Sequence, residues 1–238
     1  MMTMSVPKIP LHQALSSFNR KERNLLVRAI AGLDDHEIGL RESFRAALTQ
    51  ELGLPNEISE SAWWATDFHI SWLAGALSLY REQGHDPKIR PNSPHGGSRS
   101  IGRLVESNQE DVDLVVVDGS DLILIEAKAY GSWNEVQFTS KLDRLHLLVA
   151  EDQNARGQHN GVPPIRIHLV LMSPSKPPPA FARIWPEWAR QEETIPWVEL
   201  PISGSVFSVR RSDVDAGNDD IQSNWRIVAH KAKKIADA

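Results

Sequence analysis

A chain of 238 residues, 41% hydrophobic and 24% charged, has room for one large domain, and it holds no apolar run of the roughly 18 residues needed to cross a membrane. Cysteine is absent, which excludes disulfides and thiolate chemistry and fits the reducing cytoplasm expected here. The formal net charge of −5 argues against a dedicated binder of long duplex nucleic acid, so any such contact would need a local basic patch.

The opening residues Met1 to Pro7 lack a charged segment followed by an apolar one, so no secretory signal is expected. Residues 12–31 read as a helix from the spacing of Leu15, Phe18, Leu25, Leu26, Ala29 and Ile30, with Gly32 as its stop. Residues 37–52 read as a second amphipathic helix, with Phe44, Ala47 and Leu48 inward and Gly53 closing it. Residues 60–83 are apolar on most sides, which predicts a third, mostly buried helix. Residues 84–102 are rich in Gly, Pro and Ser and predict a loop, or a loop with a short strand at its end.

Two apolar runs follow. Asp111 to Val117 and Leu122 to Lys128 flank Asp118-Gly119-Ser120-Asp121, a tight-turn sequence, and together predict a hairpin covered on both faces. Residues 133–150 predict a helix with Val136, Leu142, Leu145, Leu148 and Val149 inward. Residues 165–172 predict a buried strand, 180–191 a short helix, and 197–200 and 206–211 short strands. The tail from Asp213 is polar and ends in Lys231, Lys233 and Lys234, a loose solvated end by this reading. The fold class is α/β. The division expected is a helical N-terminal extension, 1–55, on an α/β domain, 56–238, the two forming one compact unit.

The hairpin carries acids where a core strand should have none. Burying a charge costs several kcal/mol unless it is paired or bound to a metal. Glu126 and Lys128 share one strand face and Ala127 takes the other. Asp113 lies on the partner strand near Glu126 and Lys128, with Asp111 as its rival if the register slips. Two convergent carboxylates suit Mg2+ or Mn2+, and a metal with a positioned water hydrolyses phosphodiesters. The bare spacing is uninformative: an acid two positions before a lysine arises about once by chance in this composition, and Asp86-Pro87-Lys88 is such a match in a loop. Context separates the two, because Glu126 and Lys128 alone end an apolar strand with an acid on the preceding strand. The competing reading is a surface salt bridge where the strand emerges into water.

Asp113, Glu126 and Lys128 on a hairpin, after a buried helix and before a helix and strand, resemble the PD-(D/E)xK nuclease superfamily over roughly residues 60–172. The resemblance implies a restriction-endonuclease-like αβββαβ core with a mixed sheet. It implies that Asp113, Glu126 and the Ala127 carbonyl bind Mg2+ or Mn2+ and that Lys128 serves the attacking water. The chain departs from the signature in having no proline before the acid; residue 112 is Val. In that superfamily an acid from the helix before the hairpin can join the metal, which makes Asp67 or Glu60 a candidate; a buried acid capping or pairing with an arginine is the other reading of Asp67. Gln137, on the helix after the hairpin, can approach the scissile phosphate, with Lys141 and Arg144 on the same polar side; a solvated helix face is the commoner use of such residues. His69 reads as a hydrogen-bonded core imidazole. Lys88, Arg90, Arg99 and Arg103 form either a phosphate-contacting loop or an ordinary solvated one. Most of the eight tryptophans fall at core spacing, and Trp133 borders the motif.

No phosphate-cradling Gly-x4-Gly-Lys-Ser/Thr loop, Gly-x-Ser-x-Gly elbow or His-x3-His pair is present. The function expected is a metal-dependent nuclease with DNA as the first candidate substrate and RNA as the second, working as a homodimer or with a partner protein. The alternative is an inactive nuclease-like fold that serves as a binding or scaffold protein in a defence or repair complex.

Overall fold

The turn at Asp118-Gly119-Ser120-Asp121 organises the sheet. Gly119 has φ +57°, in the first central position where a type II′ hairpin turn needs glycine. It joins β2 (Asp111–Asp118) to β3 (Asp121–Ala127), paired antiparallel from Asp118↔Asp121 to Leu114↔Ile125. The computed structural model describes residues 9–19, 21–22, 26, 39–82, 92, 103–105, 110–130, 133, 135–156, 162–191, 194–202, 205–212 and 224–231.

Three further strands complete a five-stranded mixed sheet in the order β1-β2-β3-β4-β5. β1 (Trp63–His69) is antiparallel to β2; β4 (Arg166–Ser173) and β5 (Trp197–Glu199) extend the sheet in parallel from β3. Among the described residues four α-helices accompany them: α1 (Leu11–Ser16), α2 (Glu42–Glu51), α3 (Ile70–Glu82) and α4 (Glu135–Arg156).

The expected helix over 60–83 is divided. Trp63 to His69 is strand, and the helix begins only at Ile70. An apolar stretch buried on all sides fits either a strand or a helix. Pairing decides it: the outer side of β2 would otherwise bury unpaired backbone groups, and Trp63↔Val117 through His69↔Asp111 satisfies them. Asp67 interrupts β1 with φ +51°, a conformation that costs a non-glycine residue about 1 kcal/mol, and pairing resumes at Phe68↔Val112. Ile70 N–H then donates to the Glu110 carbonyl at 3.0 Å, and the helix starts.

Strand alternation sorts the core into two layers. Trp63, Ala65, Val115, Val117, Leu122, Leu124, Leu169 and Leu171 face α1, α3 and α4. Trp64, Leu114, Val116, Ile123, Ile125, Val170 and Met172 face the other way, against Leu48 and Leu52 at the end of α2. α4 buries Phe138, Leu142, Leu145 and Leu148, but Val136, expected inward, is 83% exposed at its first turn. Of the expected helix over 12–31, α1 covers the start; Gly32 and much of its second half lie outside the described residues. The loop over 84–102 lies outside them too, except Asn92.

The short helix expected at 180–191 is two 3-10 turns, Pro179–Arg183 and Glu187–Ala189. Beyond it, β6 (Ser205–Ser212) pairs antiparallel with β7 (Asn224–Lys231) as a separate two-stranded sheet. β7 corrects the reading of the tail as unstructured: Ile227 and Ala229 oppose Val209 and Phe207, and that pairing holds a segment whose own composition is polar. No helix among the described residues is long and apolar enough to cross a membrane.

α3 and α4 are joined by a buried ion pair: Arg81 donates to Asp152 Oδ1 from Nη2 at 2.7 Å and Nε at 3.3 Å. Removing one partner strands a charge in the core. Asp152→Ala should lower unfolding free energy by about 3–5 kcal/mol, and Arg81→Met with Asp152→Leu should recover most of it. Urea unfolding of the three proteins measures both effects.

Candidate functional site

β3 carries a buried acid at each end, and the two differ. Asp121 accepts Arg166 Nε at 2.7 Å and Nη2 at 2.5 Å and lies 2.8 Å from His168 Nε2. Burial pushes its carboxyl up, but the Arg166 and His168 contacts outweigh that and hold it below the usual range. Both oxygens are engaged, so this end is a satisfied ion cluster.

The other end is left open. Glu126 is 4% exposed, and only its Oε2 is engaged, accepting from Lys141 Nζ at 2.5 Å. Oε1 is buried with no hydrogen-bond partner among the described residues. Burial pushes the Glu126 carboxyl up to about 7; Lys141 opposes that, while the negative charges of Asp113 and Glu110 add to it. A native structure rarely keeps such an atom without a reason.

Asp113 stands beside it. The register, carried one step beyond Leu114↔Ile125, sets Asp113 opposite Glu126. There the Asp113 carboxylate itself accepts the Ala127 N–H at 2.7 Å through Oδ2. Asp113 shares strand parity with Val115 and Val117, and Glu126 with Leu122 and Leu124, so both project toward the α4 layer. Asp67 completes the row, bracketed by Thr66↔Leu114 and Phe68↔Val112 opposite Asp113. It reaches this level from a strand rather than from the helix expected. Glu60 does not: it precedes β1 at the hairpin-turn end of the sheet.

The lysine on Glu126 is Lys141, not Lys128. Lys128 follows the end of β3, its N–H donating to the Met172 carbonyl at 2.8 Å. Among the described residues nothing pairs with its half-buried ammonium. Lys141 Nζ also donates to the Asp111 carbonyl at 2.7 Å. The solvated face expected for Lys141 and Arg144 is therefore a buried polar one. Arg144, 2% exposed, donates to Glu110 at 3.1 Å and to Ser71 and the Leu104 carbonyl at 3.2 Å. A signal for this was present: Lys141 is three residues past Phe138 and four before Leu145, inside the apolar stripe of α4.

Asp111, the rival acid, is engaged elsewhere. Its carboxylate meets His69 Nδ1 through Oδ1 and Lys21 Nζ at 2.6 Å through Oδ2. His69 is the buried, paired imidazole expected, edge-on to Trp72. Gln137 lies in the first turns of α4, but its side chain is outside the described residues, as are Lys88, Arg90 and Arg99. Trp133 packs against Phe138 and Phe181.

The donor set fits a hard cation in part. Asp113 and Glu126 are carboxylates on one face, and Glu126 Oε1 is a buried acceptor without a donor. Among the described residues no three His, Cys, Asp or Glu side chains gather as a metal-holding group. Mg2+ does not require three, since one or two carboxylates with waters commonly hold it. No protein-family model, curated protein or solved structure matches the chain.

The raised Glu126 value fixes a pH dependence. A carboxyl near 4.5 unfolded and about 7 folded binds more protons in the native state over that interval, so this group's contribution to stability falls as pH rises from about 4.5 to 7 and is level above. The loss is on the order of 3 kcal/mol. Glu126→Gln should flatten that part of the stability profile, checked by urea unfolding from pH 5 to 8.

Proposed function

We propose that the chain is a metal-dependent nuclease of the PD-(D/E)xK type, hydrolysing phosphodiester bonds in nucleic acid, with DNA as the proposed substrate. The observation that carries this reading is the buried Glu126 carboxylate, one oxygen unpartnered, opposite Asp113 at the open end of the two central strands. The chain order supports it. α2, β1, β2, β3, α4 and β4 run as helix, three antiparallel strands, helix and parallel strand, the restriction-endonuclease-like arrangement, with α3 inserted after β1.

In this reading Asp113 and Glu126 hold Mg2+ or Mn2+ with the Ala127 carbonyl. The ion, when bound, polarises the phosphate and lowers the pKa of a water. Lys128, beyond the strand end and free of partners among the described residues, orients the attacking water. The scissile-phosphate role of Gln137 is carried by the superfamily resemblance alone, and Asp67 supplies a further oxygen at the level of Asp113. The net charge of −5 means that substrate is gripped locally, and a homodimer supplies the second cut where both strands are cleaved.

One observation favours the alternative, an inactive fold serving as a scaffold: Lys141 already neutralises Glu126 without a metal. Cleavage assays separate the two readings. With Mg2+ or Mn2+, the wild type should cut plasmid or single-stranded DNA, and Glu126→Ala and Lys128→Ala should each lose about a hundredfold or more. Folded wild type that cuts no faster than these variants would establish the scaffold.

A further inference from the structure

Lys141 is held from two strands at once. Its Nζ donates to the Asp111 carbonyl on β2 at 2.7 Å and to Glu126 Oε2 on β3 at 2.5 Å, while its stem rises from α4. The side chain is 15% exposed, so the ammonium stays in the interior instead of reaching for water. The Asp111 carbonyl is a fixed acceptor, because β2 pairs with β1 through His69↔Asp111. The terminal torsion of a glutamate is soft, and without a contact its two oxygens exchange places freely. Fixing Oε2 therefore fixes Oε1, the buried oxygen with no partner.

We propose that Lys141 is a positioning residue: anchored on the Asp111 carbonyl, it holds one oxygen of Glu126 so that the other is presented to a divalent cation. This rests on the metal-binding reading of Asp113 and Glu126 and adds a division of labour between two lysines. Lys141 sets the ligand, and Lys128, past the end of β3, is left for the water. A helix is the suitable origin for the first role, since a side chain on a packed element holds a ligand more accurately than one on a loop. The sign of a substitution is diagnostic. An ammonium that only competes with the cation for Glu126 weakens metal binding, and its removal tightens it. An ammonium that orients Glu126 strengthens binding, and its removal loosens it.

Titration calorimetry of Mn2+ into the full chain decides between them. Lys141→Met should weaken Mn2+ binding by about tenfold or more, the usual effect of losing a ligand's supporting contact. Lys141→Arg, which keeps two donors, should bind more tightly than Lys141→Gln. Near-UV circular dichroism of the tryptophans checks folding, and if Lys141→Met does not fold, the Arg and Gln variants carry the test by the same order of affinities. Equal or tighter Mn2+ binding without the ammonium overturns the role of Lys141 alone, provided that Asp113→Asn abolishes binding in the otherwise wild-type chain. Wild type with no Mn2+ binding dependent on Asp113 overturns the metal reading, and this inference with it.

Discussion

β3 is buried from Asp121 to Glu126, with side chains packed on both faces and strands paired on both edges. That constraint governs the rest of the structure. A strand so enclosed can carry charge only at its ends, and each charge must find a partner inside the protein. Ile123 and Ile125 require a cover on one face, and α2 provides it with Leu48 and Leu52. Leu122 and Leu124 require another, and α3 and α4 provide it. The helices are where they are because the strand cannot be left wet on either side.

The two ends of β3 meet the same requirement differently. At Asp121, one guanidinium and one imidazole occupy both carboxylate oxygens, and the carboxyl is held below its ordinary range. At Glu126 a single ammonium occupies one oxygen, a second carboxylate stands opposite, and the carboxyl is pushed up to about 7. Completing the second cluster with an arginine would have been the stable solution. The chain instead places Asp113 there, which adds repulsion and supplies another acceptor. Perturbed acids with an unfilled oxygen at a strand end are more characteristic of a binding site than of a structural brace.

The polar contacts around this end form a connected support. Arg144 ties Glu110, Ser71 and the Leu104 carbonyl together, and Lys141 ties Asp111 to Glu126. His69 and Lys21 occupy Asp111. The start of β2 is thus gripped by polar side chains from β1, from α4 and from the N-terminal segment. Asp113 lies two residues further on, in strand that cannot shift without breaking several of these contacts. A rigid backbone under a pair of facing carboxylates, one with an oxygen left unpartnered among the described residues, is what a preorganised cation site needs.

Some of this was legible in the residues themselves. The hairpin, its turn, the α4 helix and the β4 strand follow from apolar runs bounded by Gly119 and the prolines after Ser173, because period and punctuation are local properties. The nearness of Asp113 to Glu126 followed too, since a two-residue turn sets the register. The state of Trp63 to His69 did not, because a stretch buried on every side has no period to read, and only the open edge of β2 made it a strand. Lys141 reads onto the polar side of α4 although it falls within the apolar stripe, and spacing along a helix cannot say which strand residue lies beneath it. Sequence by itself determined that acids would sit at the ends of a buried hairpin. Tertiary structure decided that Asp121 would be fully paired and Glu126 half paired, because the partners come from β4 and α4, elements whose positions depend on how the whole sheet is covered.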